Sequence, residues 1–415
     1  MPYIEPTAQL VVPGFFRKIY LNNRDGVPSD KPVLLAANHP TAFIDPYLLC
    51  AYLNPPIYNM TRGDVFKKPF FRKLMEGINM FPVFRVRDGY ANRDRNDEVF
   101  RFCIDKLQQR RVVTIYVEGE HHLEYHVRPV QKGIARIAFA AYEQDRLDDL
   151  QVIPAGSNYK YGDRTRDEVM INIGRPLFVR DYWAEYQENP AQAMTHLCAD
   201  VELALKSVCL HVNEEADYPL AEQLLTLHRS EHPASFLPLV VFDHPRFMGE
   251  KAVCERVNTL PDTEKEALRT RCGRYFIAIR RAGIQDEALV NPAHGHWAWL
   301  LFFVGGFLPF LAGFISAWPV KKAAYWVADK KVKKKEFYSS VILGVGHLTG
   351  LVYYLLLFVA ALISLKPVLL GLAMLLPLLG WYSILYQEIG SRWRAGVKAA
   401  RHPERGELLQ LRRDV

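Results

Sequence analysis

The sequence has no Cys-x-x-Cys pair and no cysteine spacing of the metal-binding type. Its six cysteines, Cys50, Cys103, Cys198, Cys209, Cys254 and Cys272, stand far apart. They read as reduced core residues of a cytosol-facing protein, with neither a disulfide framework nor a bound metal expected. The N-terminal stretch MPYIEPTAQLVVPGFF lacks a basic start and carries a glutamate and two prolines early, so it is not expected to be a signal peptide. Internal repeats are absent, as are low-complexity tracts other than one lysine-rich stretch.

Charge is missing from long segments near the C-terminus. Residues 297–320, WAWLLFFVGGFLPFLAGFISAWPV, contain no charged side chain, and 337–365 contain none apart from the titratable His347. Residues 368–387 are apolar again up to Glu388. Each run is long enough to cross a hydrocarbon core of about 30 Å, and tryptophan and tyrosine gather near their ends. Residues 297–415 hold 15 Lys and Arg against 6 Asp and Glu, a charge of +9, so the rest of the chain carries −2 of the overall +7. A basic excess confined to the flanks of apolar runs points to a membrane surface and away from nucleic acid. The lysine-rich stretch KKAAYWVADKKVKKK (321–335) and the tail from 391 are expected on the cytoplasmic side as basic loops. With a cytoplasmic catalytic part before 297, the segment 297–320 would enter and leave on one side. Gly305, Gly306, Pro309 and Gly313 mark where such a re-entrant hairpin would turn, with a plain span as the alternative. Residues 338–364 and 367–387 read as a transmembrane hairpin around Lys366-Pro367.

Residues 30–180 alternate β-type runs with helical stretches, the pattern of an α/β layer fold. The strands are expected at 32–38, 80–85, 112–117, 150–155 and 169–174. Helices are expected at 46–53, 65–76, 95–110, 132–143 and 192–212. Residues 214–296 read as a helical region of unassigned role. The domains expected are therefore 1–213, 214–296, 297–390 and a basic cytoplasmic tail over 391–415.

Chemistry concentrates where strands end. In LLAANHPTAFIDPYL (34–48) an apolar run ends in Asn38-His39-Pro40, and Asp45 precedes Pro46. Proline after His39 favours extended backbone there. Asp before a proline suits an N-cap with proline in the first helical turn, so Asp45 is expected to cap helix 46–53. An imidazole and a carboxylate across one tight turn form the base-plus-orienter arrangement that activates a hydroxyl. The plain alternative is a cap and an incidental histidine. With no Gly-x-Ser-x-Gly nearby and no cysteine placed as a nucleophile, direct transfer without a covalent enzyme intermediate is the natural chemistry.

Three further stretches share the position. INMFPVFRVRDG (78–89) ends in Arg85 and Arg87, whose guanidinium forks match phosphate oxygens. In VVTIYVEGEHHLEYHVRPVQKG (112–133), Glu118 is costly to bury unless paired or functional, and Gly119 allows a sharp turn. Lys132 before Gly133 opposes the dipole of the helix it opens unless an anion shares the site. LQVIPAGSNYKYGD (150–163) is expected to be broken as a central strand by Pro154.

Together these stretches resemble the glycerolipid acyltransferases that include 1-acylglycerol-3-phosphate O-acyltransferase, the PlsC-type superfamily. The resemblance covers roughly 30–210, with NHPTAFID, MFPVFRVR, YVEGE with Lys132-Gly133, and VIPAGSNY in the family's order. Two departures stand out. Five residues separate His39 from Asp45 where the family usually has four, a spacing that resembles a bacterial subgroup. His121 stands where the family has arginine, and Val117 where it has proline. The resemblance implies an acyltransferase-type mixed sheet flanked by helices, followed by a helical region and C-terminal membrane helices. It makes His39 the general base and Asp45 its orienter. It assigns acceptor binding to Asn38, Arg85, Arg87, Glu118, Gly119, His121, Lys132, Gly133 and Pro154. It implies acyl-CoA or acyl-carrier protein as donor and glycerol 3-phosphate or lysophosphatidic acid as acceptor, Asn38 favouring the latter. No metal or other cofactor is called for, and the catalytic part would sit at the cytoplasmic face of a bilayer. Acylation of another lysolipid or an aminolipid, and a non-catalytic lipid-binding protein, are the rival readings.

Overall fold

The computed structural model describes residues 4–62, 69, 73, 79–83, 93–145, 147–293 and 297–415. The expected helix at 65–76, apart from residues 69 and 73, and the arginine pair Arg85 and Arg87 lie outside the described residues. The chain divides into two compact units, residues 1–211 with 239–244, and residues 212–238 with 245–415.

The first unit begins with helix α1 (Ile4–Phe15) and strand β1 (Lys18–Asn22). β2 (Val33–Ala37) is followed by α2 (Ile44–Tyr52), and β3 (Ile57–Arg62) and β4 (Met80–Val83) come next. Then follow α3 (Arg93–Gln108), β5 (Val112–Tyr116) and α4 (Gly133–Asp145). β6 (Gln151–Tyr159), β7 (Glu168–Ile173), β8 (Leu177–Phe178), α5 (Trp183–Glu188) and α6 (Pro190–Val208) complete the run, and β9 (Val240–Phe242) returns to pair with β1. The strands form one mixed sheet in the order β4-β3-β5-β2-β6-β7-β1-β9, with β8 on β6. β4, β3, β5, β2 and β6 are parallel to their neighbours, whereas β6 and β7 are antiparallel.

The central strands read as unbroken apolar runs because both faces are covered. All five residues of β2 are buried, as parallel strands between helical layers require. Leu34, Val113 and Val152 share one core with Cys103 and Leu107 of α3, Ile134 and Ala138 of α4, and Leu197, Val201 and Leu205 of α6. α1 and α2 pack together, tied by the Gln9 side-chain amide to the Ala51 carbonyl at 2.7 Å. The cysteines are free thiols, all but Cys50 buried, and burial pushes the Cys103 thiol up to about 12.

Pro154 corrects one expectation. It lies inside the sheet, in register with Ala36 on β2. It is tolerated because β6 changes partners there. β8 covers Gln151 and Val152, and β7 covers Ala155 to Tyr159. The missing N–H of Pro154 falls between these two ladders, while its carbonyl accepts from Gly174 at 2.9 Å.

The second unit contains α7 (Tyr218–Glu231), α8 (Arg246–Thr259), α9 (Asp262–Ala282) and α10 (Asp286–Val290). α11 (Trp297–Gly305), α12 (Phe307–Lys331), α13 (Tyr338–Ile363), α14 (Pro367–Ala400) and α15 (Arg405–Arg413) follow. α15 is docked rather than a loose tail. Leu408 is buried with Tyr275, Ile279 and Leu289. Arg412 donates to Asp286 at 2.9 Å, to Glu231 at 2.8 Å and to the Leu227 carbonyl at 3.0 Å.

Residues 335–363 and 367–400 are each long and apolar enough to cross a membrane, and α11 with α12 makes a third candidate if that bent pair is one span. α11 and α12 meet at 50°. The bend falls at Gly305-Gly306, and Pro309 and Gly313 continue the second helix. Two carbonyls at the bend accept hydroxyls from α14, and that of Gly306 also takes the Phe310 N–H at 3.0 Å. Tyr386 donates to the Phe303 carbonyl at 2.7 Å and Tyr382 to that of Gly306 at 3.4 Å, as backbone at a helix break in an apolar setting requires. The lysine stretch also departs from expectation. It is helical through Lys331, since alanine and lysine favour helix and Ala324 and Ala328 form a buried face. Its seven lysines are exposed.

Candidate active site

Three parallel strands deliver the site. Ala37 of β2 is in register with Tyr116 of β5 and with Ala155 of β6. His39 and Glu118 therefore each stand two residues beyond one paired rung, at the carboxyl edge of the sheet where open α/β folds place ligands. The loop that leaves β2 is bolted to β6. The Asn38 amide donates to the Ser157 carbonyl at 3.0 Å and accepts the Ser157 N–H at 2.7 Å.

His39 Nδ1 lies 2.8 Å from Asp45 Oδ2. With Nδ1–H donating to the carboxylate, Nε2 is the nitrogen left to accept a proton. No described residue bonds Nε2. The ring lies flat on Tyr116, centroids 3.7 Å apart, with His121 edge-on at 4.1 Å. Burial, with the charge of Asp45 next, raises the Tyr116 hydroxyl well above its ordinary value, so it faces the site uncharged.

Asp45 is fully buried, and its place corrects a second expectation. α2 starts at Ile44 with Phe43 at the cap position and no side-chain cap. Instead of capping its own helix, the carboxylate folds back onto the preceding turn. Oδ2 accepts the Thr41 N–H at 2.9 Å, and Oδ1 accepts the Thr41 hydroxyl at 2.9 Å and the Tyr159 hydroxyl at 2.6 Å. Neither Thr41 nor Tyr159 was singled out from sequence. Thr41 sat unremarked between the two motif residues, and Tyr159 is 114 positions from the carboxylate it meets.

Glu118 is buried and paired. Oε2 accepts the His39 N–H at 3.3 Å, and Oε1 accepts the Arg128 N–H at 2.8 Å. His122 Nε2 lies 3.1 Å from Oε2, in a ring that is 3% exposed. Gly119 has φ +72° and donates back to the Tyr116 carbonyl at 3.2 Å, closing the turn that follows β5. Gly133 opens α4 with Lys132 exposed just before it. Pro154 lies within the sheet against Gly174. The structure thus brings His39, Asp45, Asn38, Glu118, Gly119 and His121 to one edge. Among the described residues no group of three or more His, Cys, Asp or Glu has the geometry to hold a metal ion.

Residues 18–158 match the family model described as Acyltransferase. A curated protein of Schizosaccharomyces pombe, described as an uncharacterised acyltransferase, is 25% identical over 240 residues, 54% of this chain and 34% of its own length. The chain thus spans about a third of that relative. The crystal structure of the 1-acyl-sn-glycerophosphate acyltransferase PlsC of Thermotoga maritima is 16% identical, with a TM-score of 0.38, over 50% of this chain and 79% of that one.

Proposed function

We propose that this chain, whose residues 18–158 match the Acyltransferase family model, moves a fatty acyl group from acyl-CoA or acyl-carrier protein to the hydroxyl of glycerol 3-phosphate or lysophosphatidic acid. The observation that carries the reading is the 2.8 Å pair of His39 and Asp45 within the matched segment. In this reaction the acceptor oxygen attacks the thioester carbonyl while His39 Nε2 takes its proton, and Asp45 stabilises the resulting imidazolium. Collapse of the tetrahedral adduct breaks the carbon–sulfur bond, and the imidazolium returns the proton to the departing thiol. Arg85, Arg87, His121 and Lys132 supply positive charge or donors for the acceptor phosphate, and Gly119 with Glu118 shapes the loop around it. The apolar helices of the second unit would hold the enzyme in a bilayer, with the site on the cytoplasmic face.

The test is an acceptor panel. Purified full-length protein in detergent is given palmitoyl-CoA or palmitoyl-acyl-carrier protein with glycerol 3-phosphate, lysophosphatidic acid or other lysolipids, and products are read by mass spectrometry. A single acylated phosphate-bearing product names the acceptor. Acylation restricted to a lysolipid without a phosphomonoester would replace this acceptor assignment.

A further inference from the structure

We infer that Thr41 and Tyr159 are positioning residues that hold the Asp45 carboxylate in the plane from which Oδ2 meets His39. The inference rests on the acyl-transfer reading for its kinetic test and on the geometry alone for its second test.

A terminal carboxylate turns easily about its last bond, because that torsion is broad. Five residues separate His39 from Asp45, and Asp45 sits in the first turn of α2, so backbone alone does not orient its oxygens. The four contacts do. Oδ1 is taken by the Tyr159 and Thr41 hydroxyls at 2.6 and 2.9 Å. Oδ2 is shared by the Thr41 N–H at 2.9 Å and the histidine at 2.8 Å. Two donors on each oxygen fill the carboxylate's acceptor sites, and a quarter-turn would break all four at once. The carboxylate, with no exposed surface, has no water to replace them.

The two anchors differ in origin. Thr41 lies in the short connection between His39 and the helix that carries Asp45. Tyr159 ends β6, whose register with β2 at Ala37 and Ala155 and whose Asn38–Ser157 clamp are set by the sheet. Tyr159 therefore references the histidine loop to the scaffold. Its hydroxyl is itself buried, and burial followed by the charge of Asp45 raises it well above its ordinary value, so it remains a donor. Neither side chain is assigned contact with substrate. Each acts through Asp45 on the histidine.

The test uses full-length Tyr159→Phe, Thr41→Val and Thr41→Ser proteins, with Asp45→Asn as the limit. Tyr159→Phe removes one oxygen and keeps the ring packed on Phe16. The expected result is a fall of about tenfold in kcat for Tyr159→Phe and Thr41→Val, with KM for both substrates within about twofold, and recovery in Thr41→Ser. The second readout needs no turnover. It is the rate at which diethyl pyrocarbonate modifies His39, followed by peptide mass spectrometry, which should move in both variants toward the Asp45→Asn value. Wild-type kcat and wild-type modification rate in Tyr159→Phe would overturn the inference. A KM change at constant kcat would overturn it as well, by making Tyr159 a substrate contact. If no acceptor is acylated even by the wild-type protein, the acyl-transfer reading fails, and the modification rates still decide the positioning role.

Discussion

The His39 backbone N–H donates to Glu118 Oε2 at 3.3 Å. Each residue stands two positions past a common rung of the sheet, so the contact is a consequence of strand register. Glu118 thereby joins the loop after β2 to the loop after β5 through His39 and Arg128. Glu118→Ala is expected to leave two backbone donors unmatched, at about 1–3 kcal/mol each, and to cut turnover by more than tenfold. Glu118→Gln keeps an acceptor and should retain more of both. Thermal unfolding measured beside kcat separates the two effects.

Two glycines of the same unit should fail for different reasons. A β-carbon on Gly119 would meet nothing closer than Gln131 Cγ at 3.8 Å, so Gly119→Ala bears only the left-handed backbone at φ +72°, about 1–2 kcal/mol. A β-carbon on Gly156 would come within 2.2 Å of the Val208 carbonyl oxygen, a backbone atom that cannot move aside cheaply. Gly119→Ala should fold with a lowered melting temperature, and Gly156→Ala should yield little folded protein.

Asp167 gives the fold a pH dependence. Burial raises its carboxyl to about 6, against the backbone N–H groups of Gly162, Tyr161 and Glu168 that favour the charged form. A raised acid binds its proton more tightly folded than unfolded. Stability from this group is therefore full below the unfolded value near 3.8 and is lost as pH rises through about 6. Asp167→Asn should flatten the slope of melting temperature against pH between about 4 and 6. An unchanged slope would assign it to another group.

Much of this was legible in the sequence where burial leaves a continuous mark. β2, β5 and β7 appear as apolar or β-branched runs, and the His39–Asp45 pairing follows from a strand running into a short turn. What was hidden is instructive. β1 begins with Lys18, which is 2% exposed, and β3 carries the buried Asn59, so neither shows an apolar period. β9 is three residues long within a helical region, and its place was set by β1 more than two hundred positions earlier. Asp45 looked like a cap because Asp-Pro often is one. The Thr41 and Tyr159 donors that draw it backward are a tertiary effect. Pro154 looked like a strand breaker because the exchange of β8 for β7 beside it has no local signature.

The apolar helices make a separate prediction. With α13 and α14 in a bilayer, the protein should stay in the pellet when membranes of expressing cells are washed with alkaline carbonate. Release into the supernatant would place those helices against protein instead of lipid.

The most direct measurement of the central claim is acyl transfer by purified full-length protein compared with His39→Ala, on the acceptor that the panel identifies. The account predicts loss of at least about a hundredfold in kcat in protein that still folds, its melting temperature lowered only by the one donor that the buried Asp45 loses. Undiminished turnover in His39→Ala would contradict it and place the base elsewhere.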